Sequence, residues 1–376
     1  MSVSAIVPAA SDRPVGLRDV LTGALDAVLG RETRIGLPPV ERALVVVVDG
    51  LGAEALAARA GHARTLSAAA GKRSRIATGT PTTTAAALAT LATGEDPGVH
   101  GIVGYAVLDP GADRVVNQLR GFDDGELPDG WQRSRTVFER AREEGVRPLA
   151  VGPRHYADSG FTGAVLRGAE YLGARTVEQR FDAAVEAFHE GGRAVGYLYV
   201  PELDQIAHHD GWQSGEWTAA LEEVDAAVGG AIRRLGRGEA IVVTADHGIL
   251  DVPADQHVLV DEIDGLLDGV RHLAGEPRCL QVHVEQGDDP EELAARWRVA
   301  LRGSADVLTR VEAVTAGWFG RVEPEVAPRI GDVLVAARRR VAFYDGRSAV
   351  GRGMVGQHGA WTTAERMVPL LRFPVV

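Results

Sequence analysis

The segment "ALVVVVDG", residues 43–50, is a continuous run of apolar, mostly β-branched residues that ends in Asp-Gly. Such a run is typical of a buried parallel strand whose carboxyl end delivers a side chain to the next loop. Similar runs recur in "RPLAVGP" (147–153), "AVGYLYVPELD" (194–204) and "EAIVVTADHG" (239–248), and helical patterns lie between them. This alternation predicts an α/β fold with a mostly parallel central sheet and helices on both faces.

The pattern changes between residues 253 and 345, where short strand-like and helical stretches suggest a small α+β lobe. The segments are "CLQVHVEQ" (279–286), "DPEELAARWRVALRG" (289–303) and "DVLVAARRRVAFYD" (332–345). Because "GQHGAWT" (356–362) again resembles a site loop, we interpret the lobe as an insertion. We therefore predict a catalytic core formed by residues 1–252 and 346–376, and an inserted lobe over 253–345 that would cover the site.

The bulk composition restricts the partners. The 376 residues carry a net charge of -12, which argues against a nucleic-acid duplex or an anionic membrane. A small phosphate compound stays possible, because a bound metal inverts the local field. The stretch "MSVSAIVPAASDRPVG" (1–16) lacks signal-peptide character, no segment approaches a membrane span of about 18 apolar residues, and the single Cys279 suits a reducing compartment. These features predict a cytoplasmic protein with a small-molecule substrate.

Acidic residues and histidines cluster at the predicted strand ends, where ligands bind in such sheets. Alone, each has an ordinary structural explanation, such as a turn or a solvated helix face. Together, three aspartates and three histidines would fill two metal sites, and a thiolate-free set of this kind suits zinc or manganese. The residues are Asp49, Asp204, His208, Asp246, His247 and His358.

The segment "TGTPTTTAAALATLATG", residues 78–94, allows two interpretations. It is either a Thr-rich turn before a small-residue helix that packs on the sheet, or the site of a nucleophilic hydroxyl. If Thr84 begins the helix, its oxygen would lie beside a metal, and the amide groups of the helix N-terminus would favour a phosphate oxyanion. Gly94 would end the helix.

Five motifs, in this order, resemble those of the alkaline phosphatase superfamily, in its nucleotide pyrophosphatase/phosphodiesterase branch. The resemblance covers most of the chain apart from the lobe and rests on "VVVDG", "TPTTTAAALATLATGEDPGVHGIVGY", "PELDQIAHHDG", "TADHG" and "GQHG". It implies that Thr84, three residues after Pro81, is the nucleophile of a covalent phosphothreonine mechanism. It also implies two zinc ions, with manganese possible. Asp204, His208 and His358 would bind one ion, and Asp49, Asp246, His247 and Thr84 the other.

The substrate is less well defined. Relatives that cleave nucleotides usually have an aromatic residue directly after the nucleophile and an asparagine two residues further on, where this chain has Ala85 and Ala87. Tyr199 matches the family's other base-stacking position, and Arg154 and Tyr105 are candidate substrate contacts. The resemblance therefore implies cleavage of a phosphodiester or pyrophosphate bond and leaves the leaving group open.

Other functions fit the sequence less well. A phosphomonoesterase or phosphomutase of the same superfamily needs extra positive charge, and Arg154 is the one candidate. A sulfatase would need Cys or Ser followed by x-Pro-x-Arg, whereas Cys279 precedes "LQVH". A P-loop motif is absent from the sequence. A non-catalytic, metal-stabilised binding module is disfavoured by the complete set of ligands and nucleophile.

Overall fold

The structure, a computed structural model, describes residues 13–71, 74–347 and 351–375. Most of the N-terminal stretch behind the cytoplasmic prediction, residues 1–12, lies outside these ranges. Among the described helices, none has the length and apolar character needed to cross a membrane.

The strands of the described ranges follow in chain order. They are β1 (Arg42–Val48), β2 (Arg75–Ala77), β3 (Ala106–Asp109), β4 (Arg114–Asn117), β5 (Arg147–Pro153), β6 (Glu170–Ala174), β7 (Ala194–Val200), β8 (Glu239–Thr244), β9 (Leu250–Asp251), β10 (His257–Leu259), β11 (Val270–Glu276), β12 (Cys279–Val284), β13 (Ala305–Thr309), β14 (Val333–Ala337), β15 (Ala342–Tyr344), β16 (Gly356–Gln357) and β17 (Met367–Val375).

The α-helices alternate with these strands through the first two thirds of the chain. They are α1 (Arg18–Val28), α2 (Ala53–Ala58), α3 (Arg64–Ala68), α4 (Thr84–Thr93), α5 (Pro97–His100), α6 (Val137–Glu143), α7 (Gly160–Val165), α8 (Val177–His189), α9 (Glu202–Asp210), α10 (Gly215–Ile232), α11 (Pro290–Ala300), α12 (Arg310–Thr315) and α13 (Thr363–Arg366).

The central sheet has seven strands in the order β2-β17-β8-β1-β7-β5-β6. Its five strands from β8 to β6 run parallel, and β17 pairs antiparallel with β8 and β2. Every residue of β1 from Ala43 to Val48 is buried. Because consecutive side chains point to opposite faces of a strand, both faces of the sheet are covered. The predicted α/β class and mostly parallel sheet are confirmed.

The helices form two packed groups. In the first group, helices α1, α4 and α6 contact one another, α1 lies on β1 and α6 lies on β5. In the second group, helix α8 lies on β5, β6 and β7 and packs against α10. Helix α4 shows why its sequence is rich in alanine: all nine residues from Ala85 to Thr93 are buried. Small side chains let such a helix approach its neighbours closely. It ends at Gly94, whose φ of 75° lies in the left-handed region.

A second, antiparallel sheet in the order β11-β12-β14-β13 lies within residues 253–345. Its own apolar core includes Trp297 of α11 and Phe343 of β15. The β3–β4 hairpin packs against β11. Arg278 forms a buried, bidentate ion pair with Glu365. The sheet is therefore anchored to segments that precede it and follow it in the chain. The lobe boundaries 253 and 345 stay a prediction.

Candidate active site

Strands β1, β7 and β8 are neighbours, and their carboxyl ends bring together the acidic residues that follow them. Asp49 comes directly after β1, and its backbone N–H donates to the Val200 carbonyl at the end of β7, 2.9 Å away. The next residue must be glycine for two reasons. Gly50 has φ 72°, and a Cβ atom there would lie 3.0 Å from Asp204 Oδ1. This turn allows the β1 and β7 ends to approach each other.

Helix α9 supplies the second carboxylate and the first imidazole. Asp204 and His208 lie one helical turn apart, and His208 Nε2 is 3.1 Å from Asp204 Oδ2. The other ring nitrogen, His208 Nδ1, is 2.7 Å from the Gly356 carbonyl of β16, which fixes the orientation of the ring. The neighbouring His209 is exposed on the surface.

The loop after β8 carries a third carboxylate and a second imidazole, both fully buried. His247 Nε2 lies 3.4 Å from Asp49 Oδ1 and 3.4 Å from Asp246 Oδ2. His358, directly after β16, stacks on His247 with a centroid distance of 3.7 Å. The structure therefore brings together all six Asp and His residues that the sequence singled out.

The three consecutive threonines have different surroundings. Thr84 Oγ1, at the start of α4, is 3.1 Å from His247 Nε2 and faces the cavity described below. The Thr83 side chain is buried and bonds to Glu276. The Thr82 hydroxyl donates to the Ala360 carbonyl and accepts from the Gly359 N–H, and the Thr82 carbonyl is 2.8 Å from His358 Nδ1. Thr84 is the one of the three whose hydroxyl faces the histidines.

The cluster has an unbalanced charge distribution. Burial, together with the negative charges of Asp246 and Asp204, raises the pKa of Asp49 well above its usual range. Burial also opposes the ionisation of Asp204, but the adjacent His208 outweighs it and holds the pKa of Asp204 below the usual value. Burial, and then the neighbouring His247, lowers the pKa of His358 well below the usual value. Without a cation, the raised pKa of Asp49 therefore favours retention of a proton on this one carboxyl group.

Three buried carboxylate oxygens in the cluster have no hydrogen-bond partner among the described residues: Asp49 Oδ1, Asp204 Oδ1 and Asp246 Oδ2. A buried, unpaired carboxylate oxygen is costly, and a cation is one way to satisfy it. Two groups of residues each have ligand atoms that all lie within 4.8 Å of one another. One group is Asp204, His208 and His358, and the other is Asp49, Asp204 and His247. The oxygen and imidazole donors fit a metal such as zinc or manganese.

A cavity of 430 Å³ opens beside Thr84. Its walls are mostly apolar, and five aromatic side chains line it: Tyr156, Phe161, Tyr171, Tyr197 and Tyr199. Aliphatic residues complete the walls, and Arg120, Asp123 and His155 add polar groups. None of the lining residues comes from residues 253–345. The covering role of the lobe over the site stays a prediction.

The three predicted substrate contacts lie in different places. The Tyr199 ring lines the cavity, and its hydroxyl donates a hydrogen bond to Asp49 Oδ2. Burial and the charge of Asp49 raise the pKa of Tyr199 well above its usual value, so the hydroxyl keeps its proton. Arg154 is exposed and lines a neighbouring groove, and Tyr105, half-buried before β3, does not line the cavity.

Two features of the site escaped sequence reasoning. Tyr156 lies in a short turn and Phe161 in the short helix α7. The sequence around them has no periodic apolar pattern, and the aromatic rings are its only signal. Glu276, at the end of β11, reaches Thr83 beneath the start of α4, and burial raises its pKa to about 8. Nothing in the sequence around Glu276 indicates this contact, because it depends on how the second sheet packs.

Solved structures of similar fold include three that match nearly the whole chain. The murine ectonucleotide pyrophosphatase/phosphodiesterase 5 is 17% identical, with a TM-score of 0.66 over 87% of each chain. The human protein of that name is 18% identical, with a TM-score of 0.69 over 88% of this chain and 87% of the other. Phosphonoacetate hydrolase from Sinorhizobium meliloti 1021, in complex with phosphonoformate, is 21% identical, with a TM-score of 0.70 over 90% and 91%. At these identities the likeness shows the fold.

No curated protein sequence gives a significant match. The family profile described as type I phosphodiesterase/nucleotide pyrophosphatase matches residues 43–361. That span contains all six Asp and His residues of the cluster as well as Thr84, and it confirms the resemblance inferred from the motifs. The chain belongs to the type I phosphodiesterase/nucleotide pyrophosphatase family of phosphoryl hydrolases.

Proposed function

We propose that this protein is a two-metal hydrolase that cleaves a phosphodiester or pyrophosphate bond through a covalent phosphothreonine at Thr84. The observation that carries the proposal is the set of three buried carboxylate oxygens that have no hydrogen-bond partner among the described residues. They lie in the same cluster as the Thr84 hydroxyl and the histidine nitrogens. Asp204, His208 and His358 would hold one ion, and Asp49, Asp246 and His247, with Thr84, the other. Zinc is the expected metal, and manganese fits the same donors.

When bound, the two ions would polarise the phosphoryl oxygens and favour the ionised form of the Thr84 hydroxyl. The chain's own contribution begins with position, because Thr84 is the first residue of a helix whose other nine residues are buried. The amide groups of that N-terminus point toward the place where a phosphoryl group would sit, and they stabilise negative charge there.

The proposed chemistry has two steps. Thr84 Oγ1 forms a bond to phosphorus while the bond between phosphorus and the leaving-group oxygen breaks, and the hydroxyl proton is lost to solvent or to the leaving group. Water then cleaves the Oγ1–phosphorus bond, which restores the Thr84 hydroxyl and releases the phosphoryl product. Thr82 and Thr83 are unsuited to the first step, because their hydroxyls are buried and already hydrogen-bonded.

The aromatic cavity supports an apolar or aromatic group on the substrate. Base–aromatic stacking is worth about 1–3 kcal/mol, and Tyr156 and Tyr199 have ring centroids 6.2 Å apart. Helix α4 contributes Thr84 and Leu88 to the cavity wall, and neither offers an aromatic face for stacking. We therefore expect a flat group to stack against the tyrosine side of the cavity alone. Such one-sided stacking favours diesters of varied aromatic or heterocyclic alcohols.

The test compares the hydrolysis of bis(p-nitrophenyl) phosphate and p-nitrophenyl phosphate with added zinc or manganese. We expect faster cleavage of the diester, and a loss of about 10⁴-fold in kcat for Thr84→Ala. Thr84→Ser, which retains a hydroxyl, should keep much more activity, and chelation should abolish it. Preference for the monoester would contradict the proposal and favour a phosphomonoesterase. Two bound ions without hydrolysis of either compound would favour a binding module.

A further inference from the structure

A groove beside the aromatic cavity collects positive charge at the carboxyl ends of two neighbouring strands. In the parallel pair β5 and β6, Pro153 lies opposite Ala174. The residues that follow directly are Arg154 and Arg175, so the pairing register places two arginines side by side. Both are exposed, and both line a groove of 380 Å³.

The backbone holds both arginines in place. A Cβ atom on Gly173 would lie 3.0 Å from Arg154 Cα, so the glycine lets β6 approach the turn that follows β5. The Arg175 N–H donates to Gln179 Oε1 at the start of α8, 3.2 Å away. The two side chains therefore start from well-ordered positions, although their ends are exposed.

Neither guanidinium has a hydrogen-bond or ion-pair partner within the ranges that the structure describes. The acidic residue in the groove is Glu202, and it is already paired with the fully buried Arg180. The groove therefore has an excess of two positive charges, in a chain whose net charge is -12. Unpaired cations in a concave site on an acidic protein attract an anion selectively.

The groove adjoins the cavity through one residue. His155 lines both spaces, and its ring lies against Tyr156, with centroids 4.1 Å apart. A molecule whose apolar part fills the cavity would thus extend toward Arg154 and Arg175 past the edge of His155. An anion in the groove would belong to the same moiety that occupies the cavity.

We propose that the groove formed by Arg154 and Arg175 is an anion-binding subsite, and that the substrate carries a second acidic group on the moiety held in the cavity. This inference rests on the proposed function at Thr84. The second group is a carboxylate or a phosphate, both of which match the planar guanidinium. The arginines act on binding and not on the reacting atoms.

The test uses a matched series of diesters that share a p-nitrophenol leaving group. The other alcohol is phenol, or phenol with a para carboxylate or phosphonate on spacers of one to four methylene groups. For at least one spacer we expect a KM about tenfold below that of the phenyl diester, at equal kcat. Arg154→Gln combined with Arg175→Gln should remove this advantage, so that the acidic diester and the phenyl diester have about the same KM.

The control removes the same charge elsewhere, with Arg64→Gln combined with Arg302→Gln, two exposed arginines that line neither space. This variant should keep the advantage, which should also weaken with added salt. If the carboxylate and the phosphonate lower KM equally, the subsite recognises negative charge alone. If only one of them lowers KM, that group is the kind of acidic group that the subsite binds. The inference is wrong if no spacer gives a gain, or if both double variants lose it equally.

A binding experiment separates this inference from the proposed function. Calorimetry on the metal-loaded Thr84→Ala protein measures the affinity for the same diesters without requiring hydrolysis. A gain from the acidic group that depends on Arg154 and Arg175 supports the subsite even if the wild-type protein hydrolyses none of the series. Absence of such a gain overturns the subsite, while Thr84-dependent hydrolysis of the phenyl diester would still support the proposed function.

Discussion

The carboxyl edge of the central sheet has two halves of opposite charge. Strands β8, β1 and β7 end in buried aspartates and histidines, whereas β5 and β6 end in exposed arginines. The acidic half is buried and has unpaired oxygens, so a cation bound there would be held by several ligands at once. The basic half is open to solvent, so each of its contacts is weak and screened. One edge thus combines the proposed metal site, with many ligands, and the proposed anion subsite, with weak and screened contacts.

The largest expected effect comes from breaking the acidic half. Asp246→Asn replaces one buried carboxylate and should lower the metal content from two ions per chain to about one. Hydrolysis of the diester should fall by about a thousandfold. Metal analysis after gel filtration, together with the rate, tests this. The matched control Asp210→Asn changes an exposed aspartate near the end of α9, and a similar loss of metal in that variant would contradict the assignment.

Glu276 offers a contrast with the buried aspartates of the acidic half, because its carboxyl group is neutralised by a proton and not by a bound cation. Its pKa is raised to about 8 by burial, and further by Glu365, against the opposing hydrogen bond from Thr83. The folded state therefore binds the proton more tightly than the unfolded state, and stability falls as pH rises from about 4.5 through 8. The expected fall from this group is roughly 3 kcal/mol between about pH 5 and pH 8.

Urea unfolding of the metal-free protein at several pH values measures this contribution. Glu276→Gln, which mimics the protonated form, should be less sensitive to pH and more stable than the wild type near pH 8. Glu285→Gln, at an exposed position after β12, should leave the pH profile unchanged. A Glu276→Gln profile parallel to that of the wild type would show that the carboxyl group has an ordinary pKa.

The smallest expected effect concerns Tyr199, which lies where the two halves meet. Its ring lines the cavity and its hydroxyl donates to Asp49, so it would orient that carboxylate. Tyr199→Phe should lower the metal affinity by about tenfold, as measured by competition with a chelating dye. Tyr197→Phe serves as the control, because the Tyr197 ring stacks on that of Tyr199. An equal loss in both variants would assign the effect to packing.

The acidic half could be predicted from the sequence and the basic half could not. Asp49, Asp204 and Asp246 each lie in or directly after a segment whose apolar run already indicates a buried parallel strand, and parallel strands end at a common edge. The arrangement of Arg154 and Arg175 depends instead on the register of β5 against β6, which the sequence does not reveal. The sequence made Arg154 a candidate substrate contact without indicating where it lies, and in the structure it lines the groove beside His155.

Other features depend on packing between distant segments. Much of the cavity wall comes from Leu119 to Asp123 and from His155 to Leu166, where α7 is the longest element and aromatic residues do not repeat with a helical or strand period. Glu276 reaches Thr83 across about 190 residues of sequence. Sequence patterns report on local structure, and such contacts are outside their range.

The central claim is that Thr84 becomes covalently attached to phosphorus. The most direct measurement is acid quenching of the metal-loaded protein during turnover of bis(p-nitrophenyl) phosphate, followed by peptide mass spectrometry. The account predicts that the peptide containing Thr84 carries the p-nitrophenyl phosphoryl group, with one equivalent of p-nitrophenol released in a burst, and that Thr84→Ala shows neither. Steady hydrolysis with no burst and an unmodified Thr84 peptide, or a phosphoryl group on Thr83, would contradict it.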